Sequence, residues 1–144
     1  MYKVDEERVL ELLRVMRENI GYIGSVDLKN IKKDKDNIKD YYFVSMALFT
    51  LLNKMLELAE EMVDCLDVKR YPTKYIEFFE VLKSEDVIDK NMFSKLKSFV
   101  EYRNDIAHEY NEIMEEEIVW CVKNLSYIEY FMRIAKEQLL NKES

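Results

Sequence analysis

Arg103, Asn104 and His108 are the residues whose types and spacing hold chemistry. Arginine presents a planar fork of donors that matches the oxygens of a phosphate. Histidine titrates near neutral pH and can take or give a proton. Advancing about 100° per residue from Arg103, the side chains of Met92, Leu96, Phe99 and Val100 fall roughly between −40° and +60°. Ile106 and Ala107 extend that stripe, so Arg103 sits near the middle of an apolar helix face. Tyr110 falls about 20° from Arg103, while Asn104 and His108, four residues apart, share the stripe's flank. A cation in such a position is costly unless it is paired or opens onto a wet cleft. Two readings follow. Arg103 forms a buried ion pair with an acid of another helix and His108 is an ordinary helix-end residue, or the pair lines a phosphate-binding cleft. Periodicity alone leaves both open.

Helices must do the positioning. The chain has 144 residues, enough to bury a core in one domain covering 1–144, and only 2 glycines and 1 proline interrupt it. Val9, Leu12, Leu13, Met16, Ile20 and Ile23 mark a first helix over residues 5–23, with Gly21 and Gly24 at its end. A polar, lysine-rich connector follows over residues 25–39. The apolar positions from Val44 to Leu66 recur at helical spacing and predict a long central helix over 38–66. Pro72 closes that region, and Thr73 is placed to cap a short third helix over 74–83. The fourth starts at 89 or 90 and runs to about 110. The fifth covers 115–140, with Ile118, Cys121, Val122, Leu125, Ile128, Met132, Ala135 and Leu139 on one face. The expected fold class is all-α: an up-and-down bundle of four long helices plus a short one.

Composition narrows the function. No apolar stretch approaches the roughly 20 residues needed to span a bilayer, and the first residues show no secretion signal, so the expected location is cytoplasmic. Cys65 and Cys121 lie inside apolar periodic runs without partners at metal-ligand spacing and read as buried core thiols. No pair of histidines or carboxylates has the spacing of a helix-borne metal site, and two glycines cannot build a nucleotide-cradling loop, so neither metal nor cofactor is expected. Glu115, Glu116 and Glu117 read as a helix first turn complementing the macrodipole. The formal charge of −7 opposes a general affinity for nucleic acid. Lys29, Lys32, Lys33, Lys35 and Lys39 cluster, but Asp34, Asp36 and Asp40 interrupt them, as in a solvated loop and helix entry.

The run Tyr102-Arg103-Asn104-Asp105-Ile106-Ala107-His108-Glu109-Tyr110 resembles the signature of the HEPN superfamily: an Arg, a polar residue, three more positions and a His. The tyrosine two residues after the histidine is the form seen in HepT-like toxins. Upstream, the stretch from Tyr71-Pro72 through Phe78-Phe79 to Leu82, with Val87-Ile88, resembles that family's approach to its motif helix. The resemblance covers nearly the whole chain. It implies a metal-independent endoribonuclease, the toxin of a HEPN/MNT toxin–antitoxin system, acting on RNA as a homodimer whose Arg and His meet in a cleft between protomers. It implies catalytic roles for Arg103 and His108, with Asn104 orienting them. It further implies that Tyr110 is the residue a partner nucleotidyltransferase antitoxin modifies with AMP.

The chemistry is coherent on its own terms. Cleaving RNA without metal needs an acceptor for the 2′-hydroxyl proton, a donor for the leaving 5′-oxygen and a cation for the crowded phosphate. The chain holds 1 histidine, which cannot be acid and base at once, but a two-fold dimer supplies a second. An adduct on Tyr110 would occupy the substrate phosphate's place beside Arg103; alternatively Tyr110 simply packs and anchors the helix end. Two other functions stay open: a non-catalytic HEPN nucleotide- or partner-binding module associated with a nucleotidyltransferase, and a structural bundle carrying an accidental motif. Tyr41, Tyr42 and Phe43 at the start of the long helix add apolar surface suited to either core packing or an interface.

Overall fold

The computed structural model describes residues 3–109 and 115–140, and the side chains among them except those of residues 108 and 109. The described residues are all helical or connecting, in the order α1 (Glu6–Gly24), a 3-10 turn (Leu28–Asn30), α2 (Ile38–Asp64), α3 (Tyr75–Ser84), α4 (Lys90–Glu109), α5 (Glu115–Lys123) and α6 (Leu125–Leu139). The expected bundle is therefore present, with one difference. The helix expected over 115–140 is two helices. Asn124 parts them with φ −112° and ψ 16°. Its side-chain amide donates to the Trp120 carbonyl at 2.8 Å, competing with the backbone for that acceptor.

α2 is the centre of the bundle and packs against α1, α3, α4 and α6. Val44, Leu48, Leu51, Leu52, Met55, Leu58, Ala59, Met62 and Val63 are buried along it. By length and composition α2 is apolar enough to cross a membrane, contrary to the expectation from sequence. Some 56% of that stretch lies buried inside the bundle, as a core helix requires. Arg8 ties α1 to α2 through Glu61 at 3.1 Å and Glu57 at 3.3 Å, and the Asp5 carboxylate caps α1 by accepting from the Arg8 amide.

Caps set the remaining ends. Thr73, expected to cap a helix starting at 74, lies one residue upstream of the cap: α3 starts at Tyr75 and Lys74 takes the cap position. The Glu77 carboxylate reaches back to accept from the amides of Thr73 (2.9 Å) and Lys74 (3.1 Å) and from the Thr73 hydroxyl. Those bonds hold its pKa below the usual carboxylate range. Asp86 ends α3 with φ 58°. The Val87 amide donates to Leu82 at 2.9 Å and the Asp86 amide to Lys83 at 3.1 Å, a Schellman closure with aspartate where glycine usually stands. Of the two cysteines Cys121 is fully buried, whereas Cys65, at the end of α2, is only half-buried. Cys65 departs from the expected core position because the helix stops there.

Candidate active site around Arg103

The Asp89 carboxylate starts α4 by accepting from the Met92 amide at 2.7 Å. From there Met92, Leu96, Phe99, Val100 and Ile106 are buried, so the apolar stripe read from sequence is the face that α4 turns inward, except at Ala107, which was expected on it and is exposed at the mouth of a groove. On the flank Phe99 and Tyr102 pack on Trp120 of α5, with ring centroids 5.0 and 5.2 Å apart. Arg103 lies half-buried amid the inward stripe.

What holds Arg103 is not an acid. Its Nε donates to Oδ1 of Asn53, on α2, at 2.8 Å. Its Nη1 donates to Oδ1 of Asn104 at 3.3 Å. The guanidinium lies 5.6 Å from the ring centre of Phe49 and 5.0 Å from that of Tyr75. Among the described residues no carboxylate comes within ion-pairing distance of it. The buried ion pair that periodicity left open is therefore absent among them. The fork is oriented by two neutral amides and two aromatic faces, and Nη2 has no protein acceptor among the described residues. Such a cation keeps its charge and spare donors for an anion.

Two concave surfaces flank this residue. One, of about 570 Å³, is apolar and lined by Tyr41, Tyr42, Ser45, Met46, Phe49, Ile106 and Ala107. The other, of about 610 Å³, is bounded by Glu60, the segment from Tyr71 to Ile76, Phe78 and Asn104. Phe49 lines the first and Tyr75 the second, so the two rings that touch Arg103 are shared with the grooves on either side.

Of the residues singled out by sequence, Arg103 and Asn104 are brought into contact. α4 stays helical through Glu109, which puts position 108 one turn beyond Asn104. The side chain of His108 lies outside the described residues, and so does Tyr110. Sequence reasoning missed Asn53, Phe49 and Tyr75. Asn53 carried a readable signal: a poor helix former between Leu52 and Lys54, in the middle of the longest helix.

The sequence matches the family model described as "Ribonuclease HepT-like" over residues 13–135. The chain belongs to the HepT-like ribonuclease family. No curated protein matches it significantly. Among solved structures, this HepT-like chain is similar to the cytosolic protein of unknown function YutE from Bacillus subtilis, with TM-score 0.80 and 19% identity over 100% of this chain and 99% of that one. It is also similar to a chain of a toxin–antitoxin crystallised with AMP-PNP, with TM-score 0.68 and 17% identity, covering 90% of this chain and 98% of the other. At such identities the likeness is one of fold, and the helical frame is what the three chains share.

One further feature sits beside the HepT-like motif. Glu117, in the first turn of α5, faces Asp105 of α4. Burial first, then the Asp105 carboxyl beside it and the charge of Glu116, push its pKa up to about 7. Among the described residues its Oε2 is buried without a hydrogen-bond partner. The helix dipole normally favours a charged acid there; burial and a like charge outweigh it.

Proposed function

We propose that this chain is a metal-independent endoribonuclease, the toxin of a HEPN/MNT toxin–antitoxin pair, working as a homodimer with Arg103 and His108 at its catalytic centre. Family membership supports the reaction class. The observation that carries the residue assignment is the state of Arg103: a half-buried guanidinium with no acid paired to it among the described residues, held by Asn53, Phe49 and Tyr75 between two grooves. Catalysis by positioned charge requires a cation whose orientation is fixed before substrate arrives.

In this reading Arg103 neutralises the scissile phosphate. The 2′-oxygen attacks phosphorus while the imidazole of one protomer accepts its proton. The bond to the 5′-oxygen breaks as the other protomer's imidazole donates a proton to it, leaving a cyclic phosphate and a free 5′-hydroxyl. Asn104 limits the swing of the guanidinium. The apolar groove and the exposed Tyr42, Phe43 and Met46 supply the face on which two copies meet. Tyr110 is the site at which an antitoxin nucleotidyltransferase attaches AMP, placing a phosphate where substrate would lie. The fold shared with a toxin–antitoxin crystallised with AMP-PNP is consistent with such a partner. Cytoplasmic RNA is the substrate in this scheme.

The test is cleavage of total RNA in the presence of a chelator by wild type, His108→Ala and Arg103→Ala. Cutting by wild type alone sustains the proposal, and loss of wild-type cutting on chelation ends its metal-independent form. The formal charge of −7 favours a second reading, a nucleotide-binding module without turnover. An inert wild type whose mass shows no adduct would select it.

A further inference from the structure

The groove bounded by Glu60, Tyr71, Lys74, Tyr75 and Asn104 has walls of a particular chemistry. Tyr71 and Tyr75 are 51% and 39% exposed. Both are fixed. Tyr71 donates its hydroxyl to Asp64 at 2.8 Å and meets Phe78 edge-on at 5.6 Å, and Tyr75 lies against the Arg103 guanidinium. The segment between them is buried at Pro72 and tied down by the Glu77 carboxylate. Exposed, immobilised aromatic rings are stacking platforms for nucleobases.

Glu60 supplies a polar group to the same groove. Its neighbours are paired: Glu57 with Arg8 and Lys54, Glu61 with Arg8. Glu60 is half-buried and, among the described residues, forms no ion pair; Arg8, already paired with Glu57 and Glu61, acts on it only from beyond ion-pairing distance. Burial first, then the charge of Glu57 and those of Asp64 and Glu61, raise its pKa against the opposing charge of Arg8. An ionised carboxylate only accepts hydrogen bonds, so its complement is a ligand edge with adjacent donors. Guanine has such an edge, N1–H beside N2–H2. Adenine and cytosine place an acceptor next to their amine, and uracil flanks its one N–H with carbonyls. Lys74 in the wall, and Arg103 behind Tyr75 and Asn104, repel a cationic peptide and attract the phosphate that a nucleotide carries.

We propose that this groove is a base-reading subsite in which a guanine stacks on the exposed tyrosines and donates N1–H and N2–H to Glu60, its phosphate directed to Arg103. The assignment of that phosphate as the scissile one rests on the nuclease reading. The subsite itself does not.

The test uses four 2′-O-methyl pentanucleotides differing only in the central base, which bind but cannot be cut through the 2′-oxygen. Titrated into the full chain by calorimetry, the guanine member is expected to bind at least about tenfold tighter than the others, a difference of roughly 1.4 kcal/mol. Glu60→Gln, nearly isosteric, is expected to bring the four within about twofold, because an amide offers the guanine edge one acceptor instead of two. Tyr75→Ala is expected to weaken all four together, since stacking tolerates any base. Four equal affinities for wild type, or a guanine preference that survives Glu60→Gln, would overturn the proposal. A protein that discriminates guanine but cuts no unmodified RNA refutes the nuclease reading alone. One that binds guanine preferentially yet cuts next to every base equally refutes only the assignment of that phosphate as the scissile one.

Discussion

A single arginine shows how a neutral residue can make a cation useful. Had an acid from α2 stood where Asn53 stands, it would have occupied the fork of Arg103 and offset its charge. Asn53 instead fixes Nε at 2.8 Å and leaves the charge intact. Hydrogen bonds to charged groups contribute roughly 1.5–3 kcal/mol. Asn53→Ala is therefore expected to lower kcat for RNA cleavage by about ten- to a hundredfold, with KM changed by less than about threefold. Steady-state kinetics on a short RNA checks this; a kcat within twofold of wild type would leave Asn53 without a positioning role. Arg103 was legible in the sequence because a cation amid Leu96, Phe99 and Val100 breaks the pattern of its own helix. Asn53 was legible only as an anomaly, since nothing local shows that residues fifty positions apart meet. Phe49 and Tyr75 carried no signal, because an aromatic that clamps a guanidinium reads like one that fills a core.

Helix placement followed from apolar spacing, and the misreadings lie where hydrogen-bond competition, not burial, decides. Apolar positions keep their phase across Asn124, so 115–140 reads as one helix even though a side-chain amide breaks it. The end of α3 carries a similar local conflict. Asp86 holds φ 58°, which an L-residue tolerates poorly and glycine freely. Asp86→Gly is expected to stabilise the chain by about 0.5–1 kcal/mol, read as a higher midpoint in urea with unchanged slope. At the α4–α5 contact the sign depends on pH. The folded pKa of Glu117, about 7, lies above its unfolded value of 4.5. The neutral acid's contribution is thus fully present below about 4.5 and lost as pH rises through 7. Glu117→Gln cannot ionise. It is expected to raise Tm by about 2–4 °C at pH 8, equivalent to roughly 1 kcal/mol with solvent screening included, and to leave it unchanged near pH 4. Scanning calorimetry at the two pH values checks it; an equal shift at both would assign the effect to packing.

The whole molecule carries −7 formal charges yet belongs to a ribonuclease family. A surface of that sign cannot gather RNA by long-range attraction, so binding must concentrate where cations are spared neutralisation. One protomer offers Arg103 and Lys74 beside the grooves, and a second copy doubles both. In the proposed dimer, association would provide the second imidazole and also a denser local field. The surface fitted to it lies on α2, where Tyr42, Phe43 and Met46 are 50%, 46% and 66% exposed, next to the groove that Phe49 shares with Ile106. A single charge placed there tests the assembly without touching the core. Met46→Glu is expected to leave helical circular dichroism and Tm nearly unchanged, because the side chain is mostly solvated in one copy. It is expected to shift sedimentation from dimer to monomer at micromolar concentration, since a buried unpaired carboxylate costs several kcal/mol at an interface. Cleavage should fall more than about a hundredfold in parallel, as one imidazole cannot fill both proton roles. A variant that sediments as a monomer and still cuts at the wild-type rate would confine catalysis to a single chain, and His108 would then need a different proton partner within it.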